Sequence, residues 1–119
     1  HTNVMLHIGS DYAVVCLESI RSEQERRQVI EQLSLGGKQI VDISLEQVRD
    51  YAGNMLQVEN SRGELITAMS RKALDSLTDS QRKIIEARSR IVAADIPVIE
   101  TIGGGSARCM MAEIFLKRR

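Results

Sequence analysis

Short apolar segments rich in β-branched residues alternate with amphipathic stretches along the chain, a pattern typical of a mixed α/β fold. Residues 4–8 and 12–17 are apolar and are separated by Gly-Ser-Asp, so they predict a β-hairpin. A capping-box pattern at Ser22 precedes a helix predicted over residues 23–35. Residues 39–43 then predict a third strand, which completes a ββαβ unit.

The same order of elements follows in the second half of the chain. A short helix capped by Ser44 and closed by Gly53 leads into strands predicted at residues 55–59 and 64–69, with turn-forming residues between them. A helical stretch is predicted at residues 70–77, and a second helix capped by Thr78 follows it. A return strand predicted at residues 91–94 completes the unit.

The two units are separated by a constant distance in the sequence. Strand starts at Val4 and Met55 are 51 positions apart, and so are Ile40 and Ile91 in the return strands. Two copies of one supersecondary unit at a fixed offset indicate a repeat architecture. We therefore predict an α/β (α+β) fold with two ββαβ repeats related by a rotation and one final segment, at residues 4–53, 54–95 and 96–119.

A run of three glycines followed by Ser-Ala-Arg-Cys-Met holds the main candidate for chemistry. Glycine lets the backbone bend sharply and lie close to a ligand, so Gly104 and Gly105 are predicted substrate contacts. Arg108 and the N–H groups of the turn create a positive field that favours the thiolate of Cys109, the reactive form. Cys109 is therefore the candidate nucleophile. The alternative is a turn leading into an edge strand at residues 110–116, with Cys109 as a small buried apolar residue.

Composition narrows the classes of function. The 119 residues are 43% hydrophobic and include 16 basic and 16 acidic residues, so neither nucleic acid nor a membrane is indicated as a partner. No apolar run is long enough to span a bilayer and no leader is recognised, so we expect a cytoplasmic protein. Cys16 lies in a predicted core strand, which indicates free thiols. Histidines and cysteines show no metal-ligand spacing, and no metal or other cofactor is predicted.

Two segments resemble a known superfamily. Residues 99–116, Ile-Glu-Thr-Ile followed by GGGSARCMMAEIFL, resemble the C-terminal nucleophile segment of the guanidino-group-modifying enzymes, the penteins. His-Thr-Asn-Val-Met at residues 1–5 resembles the segment that carries the catalytic histidine of that superfamily, and further similarity at residues 14–20 and 54–56 extends the resemblance over almost the whole chain. The chain looks most similar to the amidinotransferase-like branch, which includes citrulline-utilisation hydrolases; arginine deiminases are more distant.

The resemblance implies a pentein fold, a pseudo-fivefold ring of ββαβ units around a central active site. This chain would hold the C-terminal portion of that ring, about two units and the start of a third. Uncovered faces of a partial ring predict either a homo-oligomer or association with the N-terminal portion of a larger chain. The isolated 119 residues are therefore expected to be inactive, whereas the parent chain is expected to be an enzyme.

The resemblance also implies a cysteine-dependent hydrolase. Cys109 would attack the carbon of a guanidino or ureido group, and His1, interpreted as a native residue, would protonate the leaving nitrogen. His1 would then activate water against the covalent S–C intermediate. These two residues are expected to approach each other across the inner face. The alternatives are an amidinotransferase with the same Cys/His chemistry and a non-catalytic binding or assembly module in which Cys109 is inert.

Asn3 departs from the arginine deiminase pattern, which has an acidic residue two positions after the histidine to pair with a guanidinium. An amide can donate to and accept from a neutral urea, so Asn3 favours a small amino-acid substrate with a ureido group, such as citrulline. The alternative is a polar residue at a strand edge. Arg108 is also a predicted substrate contact. His7, which alternates with apolar neighbours, is interpreted as a structural residue, and Asn54 as a turn or cap residue.

Overall fold

Two three-stranded sheets with the same topology form the framework of the computed structural model, which describes residues 1–114. In each sheet the first two strands are antiparallel and the third is parallel to the second, which is central. The two sheets therefore share one strand order, and the division into repeat units at residues 4–53 and 54–95 stays a prediction. The first sheet contains β1 (Leu6–Ile8), β2 (Tyr12–Val15) and β3 (Gln39–Asp42); the second contains β4 (Leu56–Glu59), β5 (Leu65–Ser70) and β6 (Arg90–Ala94).

Five α-helices lie between and after the strands of residues 1–114: α1 (Glu23–Leu35), α2 (Leu45–Arg49), α3 (Arg71–Ser76), α4 (Asp79–Glu86) and α5 (Pro97–Gly103). Each of the first four begins after a Ser or Thr whose side chain accepts a hydrogen bond from the N–H three residues later. At Ser44 and Thr78 a glutamine returns the hydrogen bond and completes a capping box. Over the same residues, no helix has the length and apolar character needed to cross a membrane.

One hydrophobic core joins the two units. β2 is buried along its whole length, which is expected for a central strand covered on both faces. α4 of the second unit packs against β3 of the first, so the units share their interior. The largest fully buried side chains of this cluster come from both units and include Tyr12, Val14, Val41, Ile43, Met55, Met69 and Ile85. A mixed α+β fold is confirmed, whereas the arrangement of the units in a pentein ring stays a prediction.

The glycine run ends a helix. Pro97 begins α5, because its fixed φ and missing N–H suit the first helical position, where no partner is required. Gly103 is the last residue of this helix, and Gly104 follows it with φ of 68°, in the left-handed region. The amino-acid sequence predicted a glycine-rich turn after Pro97 but no helix. The turn is present and begins after α5 ends.

The final strand predicted at residues 110–116 is not formed in its described part. Ala107–Met110 is a 3₁₀ turn, and residues 111–114 belong to no strand. The Met111 N–H donates to the Arg108 carbonyl at 3.2 Å, so a local turn bond engages a donor that a β-ladder would need. The remaining residues of the predicted strand, 115 and 116, lie outside the described residues, as do residues 117–119.

Gly53 supplies the first prediction, because a side chain there would have no room. A Cβ added at Gly53 would collide with the Val4 carbonyl oxygen and lie 2.9 Å from the Met5 Cα, so backbone would have to move. We expect Gly53→Ala to lower the free energy of unfolding by about 1–3 kcal/mol, as overpacking does, in urea denaturation.

Gly103→Ala is the matched control for Gly53→Ala. Its added Cβ would meet only the Ile99 Cγ2, at 3.9 Å, and alanine is favoured over glycine in a helix. The control should be unchanged or more stable by up to about 1 kcal/mol. Equal stability of the two variants would contradict the close approach of the two backbone segments at Gly53.

Candidate active site

Asn54 is a fully buried amide at the junction of the two units and the C-terminal segment. Its Oδ1 accepts a hydrogen bond from the Arg108 N–H at 3.0 Å, and its Nδ2 donates to the Asn3 carbonyl oxygen at 3.0 Å. The same Nδ2 lies 3.2 Å from the Cys109 Sγ. Because a backbone N–H and a backbone carbonyl set the sense of the two amide ends, the orientation of the amide is determined. The Asn54 side chain thus connects Asn3, 51 residues earlier in the sequence, with Cys109, 55 residues later.

Cys109 is the exposed one of the two free cysteines, whereas Cys16 is buried. It lies within the 3₁₀ turn, so it is not the buried strand residue of the alternative interpretation. Gly105 packs directly against it: an added Cβ would lie 3.2 Å from the Cys109 Sγ and 3.1 Å from its Cβ. The Gly105 backbone therefore lies close to another group, as predicted for a glycine, but the group that it approaches is Cys109. Contact of Gly105 with substrate stays a prediction.

A cleft of about 350 Å³ lies beside this junction, and two predicted substrate contacts, Asn3 and Arg108, line it. His7, Gln57 and Glu113 also line it. Within residues 1–114, the buried Oδ1 of Asn3 and the buried Nε2 of Gln57 have no hydrogen-bond partner. Such atoms are rare in native proteins and call for an explanation. One acceptor and one donor in the same cleft wall suit a ligand that carries both N–H groups and oxygen acceptors.

His1 and Gly104 are both exposed. His1 precedes the 3₁₀ turn Thr2–Val4, and its carbonyl accepts a hydrogen bond from the Val4 N–H at 3.1 Å. Since Asn54 binds the Asn3 carbonyl in the same turn, the His1 backbone is two residues from the junction. The pairing of His1 with Cys109 stays a prediction. An added Cβ at Gly104 would meet nothing within 4 Å, so its positive φ, and not close packing, favours glycine there.

His7 belongs to a buried row of hydrogen bonds that connects the two sheets. Its Nε2 lies 3.2 Å from the Tyr12 hydroxyl, which lies 2.6 Å from the Thr67 Oγ1; that oxygen lies 2.6 Å from the Ser89 Oγ. Burial, and to a smaller extent the charge of Arg108, lower the pKa of His7 to about 4. The imidazole is therefore neutral near pH 7, which agrees with the interpretation of His7 as a structural residue.

Asn54, Gln57 and Glu113 are not predicted as site residues from the sequence. A signal for Asn54 was nevertheless present, because Asn3 and Asn54 are 51 positions apart, the same offset as the repeated strands. Equivalent positions of two repeats face a common centre when the repeats are related by a rotation.

Within residues 1–114, no group of three or more His, Cys, Asp or Glu side chains is placed to hold a metal ion.

Comparison with known proteins adds one match. A family model described as N,N dimethylarginine dimethylhydrolase, eukaryotic, matches residues 1–116. That family is part of the guanidino-group-modifying pentein superfamily, so the resemblance is confirmed at the level of the superfamily. No curated protein and no solved structure matches the chain.

We expect His7 to make the stability of the fold depend on pH. Its pKa is lowered from 6.5 to about 4 in the folded state, so the unfolded chain binds more protons between these values. Stability is therefore complete above about pH 6.5 and is lost as the pH falls toward about 4, by up to about 3 kcal/mol. Urea denaturation at the two ends of this range measures the change.

His7→Gln is the control for the pH prediction, because a glutamine can donate to the Tyr12 hydroxyl and does not titrate. The difference in stability between the two pH values should be smaller in this variant than in the wild type, by up to about 3 kcal/mol. The same pH dependence in both proteins would show that other groups cause it.

Proposed function

The chain belongs to the N,N-dimethylarginine dimethylhydrolase family, and on that premise we propose that it hydrolyses a guanidino C–N bond of an N-methylated, arginine-like substrate. The observation that carries this proposal is the exposed Cys109 thiol, held by Asn54 beside the cleft that Asn3 and Arg108 line. Membership of a hydrolase family favours hydrolysis over amidino transfer. It also favours an enzyme over a non-catalytic module.

Cys109 supplies the nucleophile in this proposal. The thiolate attacks the guanidino carbon and forms an S–C bond. Asn54 supports this role, because a hydrogen bond from its Nδ2 to a charged sulfur is stronger than one to a neutral thiol. Exposure of Cys109 allows a substrate to reach the sulfur, and the Cys109 N–H donates to the Ser106 carbonyl within the 3₁₀ turn.

His1 moves the protons. The C–N bond to the methylated nitrogen breaks as His1 donates a proton to that nitrogen, and the amine leaves. His1 then removes a proton from a water molecule, which attacks the same carbon and releases the Cys109 thiolate, so the product carries a ureido group. Two observations support the assignment: the resemblance of residues 1–5 to the catalytic histidine segment, and the hydrogen bond by which Asn54 holds the Asn3 carbonyl near Cys109.

The cleft supplies groups that suit an amino-acid substrate. The unpartnered Oδ1 of Asn3 can accept a hydrogen bond from a guanidino N–H after a small rotation of the side chain. Arg108 can bind a substrate carboxylate, although one of its nitrogens already donates to the Met111 carbonyl at 3.2 Å. Backbone groups of Gly104 and Gly105 complete the proposed substrate contacts.

A ureido substrate such as citrulline is the second candidate. Asn3 favours it, because an uncharged amide matches a neutral urea better than a cationic guanidinium. In that case Cys109 would attack the ureido carbon and ammonia would leave. Methylated arginine comes first because the family that matches the chain is described by that substrate.

Replacement of Cys109 tests the proposed function. In the whole protein, Cys109→Ala and Cys109→Ser should lower turnover of N,N-dimethylarginine by at least about a thousandfold, because neither side chain supplies a thiolate. Dimethylamine and ureido product are measured together, with arginine and citrulline as further substrates. Cys16→Ala is the matched control and should keep its activity, since Cys16 is buried in the core. Turnover that survives in Cys109→Ala would refute the nucleophile assignment.

Asn3→Asp distinguishes the two substrate candidates. A carboxylate pairs with a cationic guanidinium but is a poorer partner for a neutral urea. For N-methylated arginine we expect KM to stay the same or to fall; for citrulline we expect it to rise about tenfold or more. Steady-state kinetics with both substrates measure the difference. An equal change of KM for the two substrates would show that Asn3 does not contact the reacting group.

A further inference from the structure

The segment that leads into the 3₁₀ turn of Cys109 is short and rich in glycine. Its three glycines, residues 103–105, have no side chains, and an added Cβ at Gly104 would meet nothing within 4 Å. Glycine has more accessible backbone conformations than any other residue, so such a segment needs an external anchor to adopt one path. The positions of Ser106 and of the turn that follows it depend on that anchor.

Glu100 and Ser106 form the anchor. Both residues are buried, with exposed fractions of 5% and 0%, and the Ser106 Oγ donates to the Glu100 Oε1 at 2.6 Å. Glu100 is itself held within α5, and its backbone carbonyl accepts a hydrogen bond from the Tyr51 hydroxyl at 2.9 Å. A short hydrogen bond to a buried carboxyl group is among the stronger ones in proteins. It ties the end of the glycine run back to the preceding helix.

This anchor reaches the thiol through one backbone bond. The Ser106 carbonyl accepts a hydrogen bond from the Cys109 N–H at 3.0 Å. On the other side, Asn54 binds the Arg108 N–H at 3.0 Å. Cys109 is therefore held through two independent side chains, Glu100 by way of Ser106, and Asn54 by way of Arg108.

We propose that Glu100 and Ser106 are positioning residues for Cys109, and that their buried hydrogen bond keeps Sγ within reach of the Asn54 amide. The proposal rests on the proposed function of Cys109 as nucleophile. Neither residue lines the cleft that holds Asn3 and Arg108, so they act through the backbone and not through contact with substrate. Loss of the hydrogen bond lowers the fraction of molecules in which the thiol is correctly aimed, which lowers kcat and leaves KM unchanged.

Three variants of the whole protein test the proposal. Ser106→Ala removes the donor; Glu100→Gln keeps an acceptor oxygen of the same size and position; the double variant Ser106→Ala with Glu100→Leu removes both polar groups and leaves neither unpaired. For N,N-dimethylarginine, Ser106→Ala should lower kcat about tenfold with KM within about twofold of wild type. Glu100→Gln should stay within about threefold of the wild-type kcat.

The double variant separates positioning from stability. A buried carboxyl without its partner is destabilising, so the double variant should be more stable than Ser106→Ala in urea denaturation. Its kcat should nevertheless stay about tenfold low, because the anchor is absent. Recovery of kcat together with stability, or a normal kcat in folded Ser106→Ala, would overturn the proposal.

Alkylation of Cys109 by iodoacetamide, followed by mass spectrometry, needs no substrate and therefore separates failure of this inference from failure of the proposed function. Near pH 7, Ser106→Ala should react at least about threefold more slowly than wild type, because the sulfur loses the Asn54 donor for part of the time. An unchanged or faster rate would overturn the positioning role, whatever the substrate of the protein is.

Discussion

The buried amide of Asn54 is the interaction on which the candidate site depends. It binds one backbone group in the N-terminal turn and one in the C-terminal turn, and it contacts the Cys109 sulfur. A buried amide has a strict requirement for partners, since an unpaired polar atom in the interior is destabilising by about 1–3 kcal/mol. Three segments that are distant in sequence must therefore meet at one point for this residue to be satisfied. The same contact supplies the thiol with a hydrogen-bond donor.

The core shared by the two units brings the segments around Asn54 together, and it leaves part of β6 exposed. α4 covers β3 of the first unit, where Val41 is 1% exposed. Val92 stands at the equivalent position of β6, 51 residues later, and is 41% exposed over the described residues. The homo-oligomer or larger parent chain stays a prediction. The exposed Val92 on β6 is relevant to it, because the equivalent position on β3 is covered by a helix.

Prediction from sequence succeeded where the cause is local and failed where it is not. The Ser22 cap and the apolar face after it predicted α1 with the bounds Glu23–Leu35 that the structure has, because a cap acts within one helical turn. The strand expected from Met110 onward is wrong as far as the structure describes it. Met110 instead ends a 3₁₀ turn, and the Met111 N–H donates to the Arg108 carbonyl within it.

Periodicity, caps and a motif of adjacent residues are local signals, so the amino-acid sequence alone predicted the order of the six strands, the superfamily and Cys109 as the candidate nucleophile. The groups that surround that thiol became known from the fold. Asn54 is 55 residues from Cys109 and has the sequence context of a turn residue. Glu100 lies in α5, a helix that was not predicted because its sequence contains a proline and has no polar capping residue. The contact between Asn54 and Cys109 depends on how the repeats and the C-terminal segment pack, and packing is a property of the whole core.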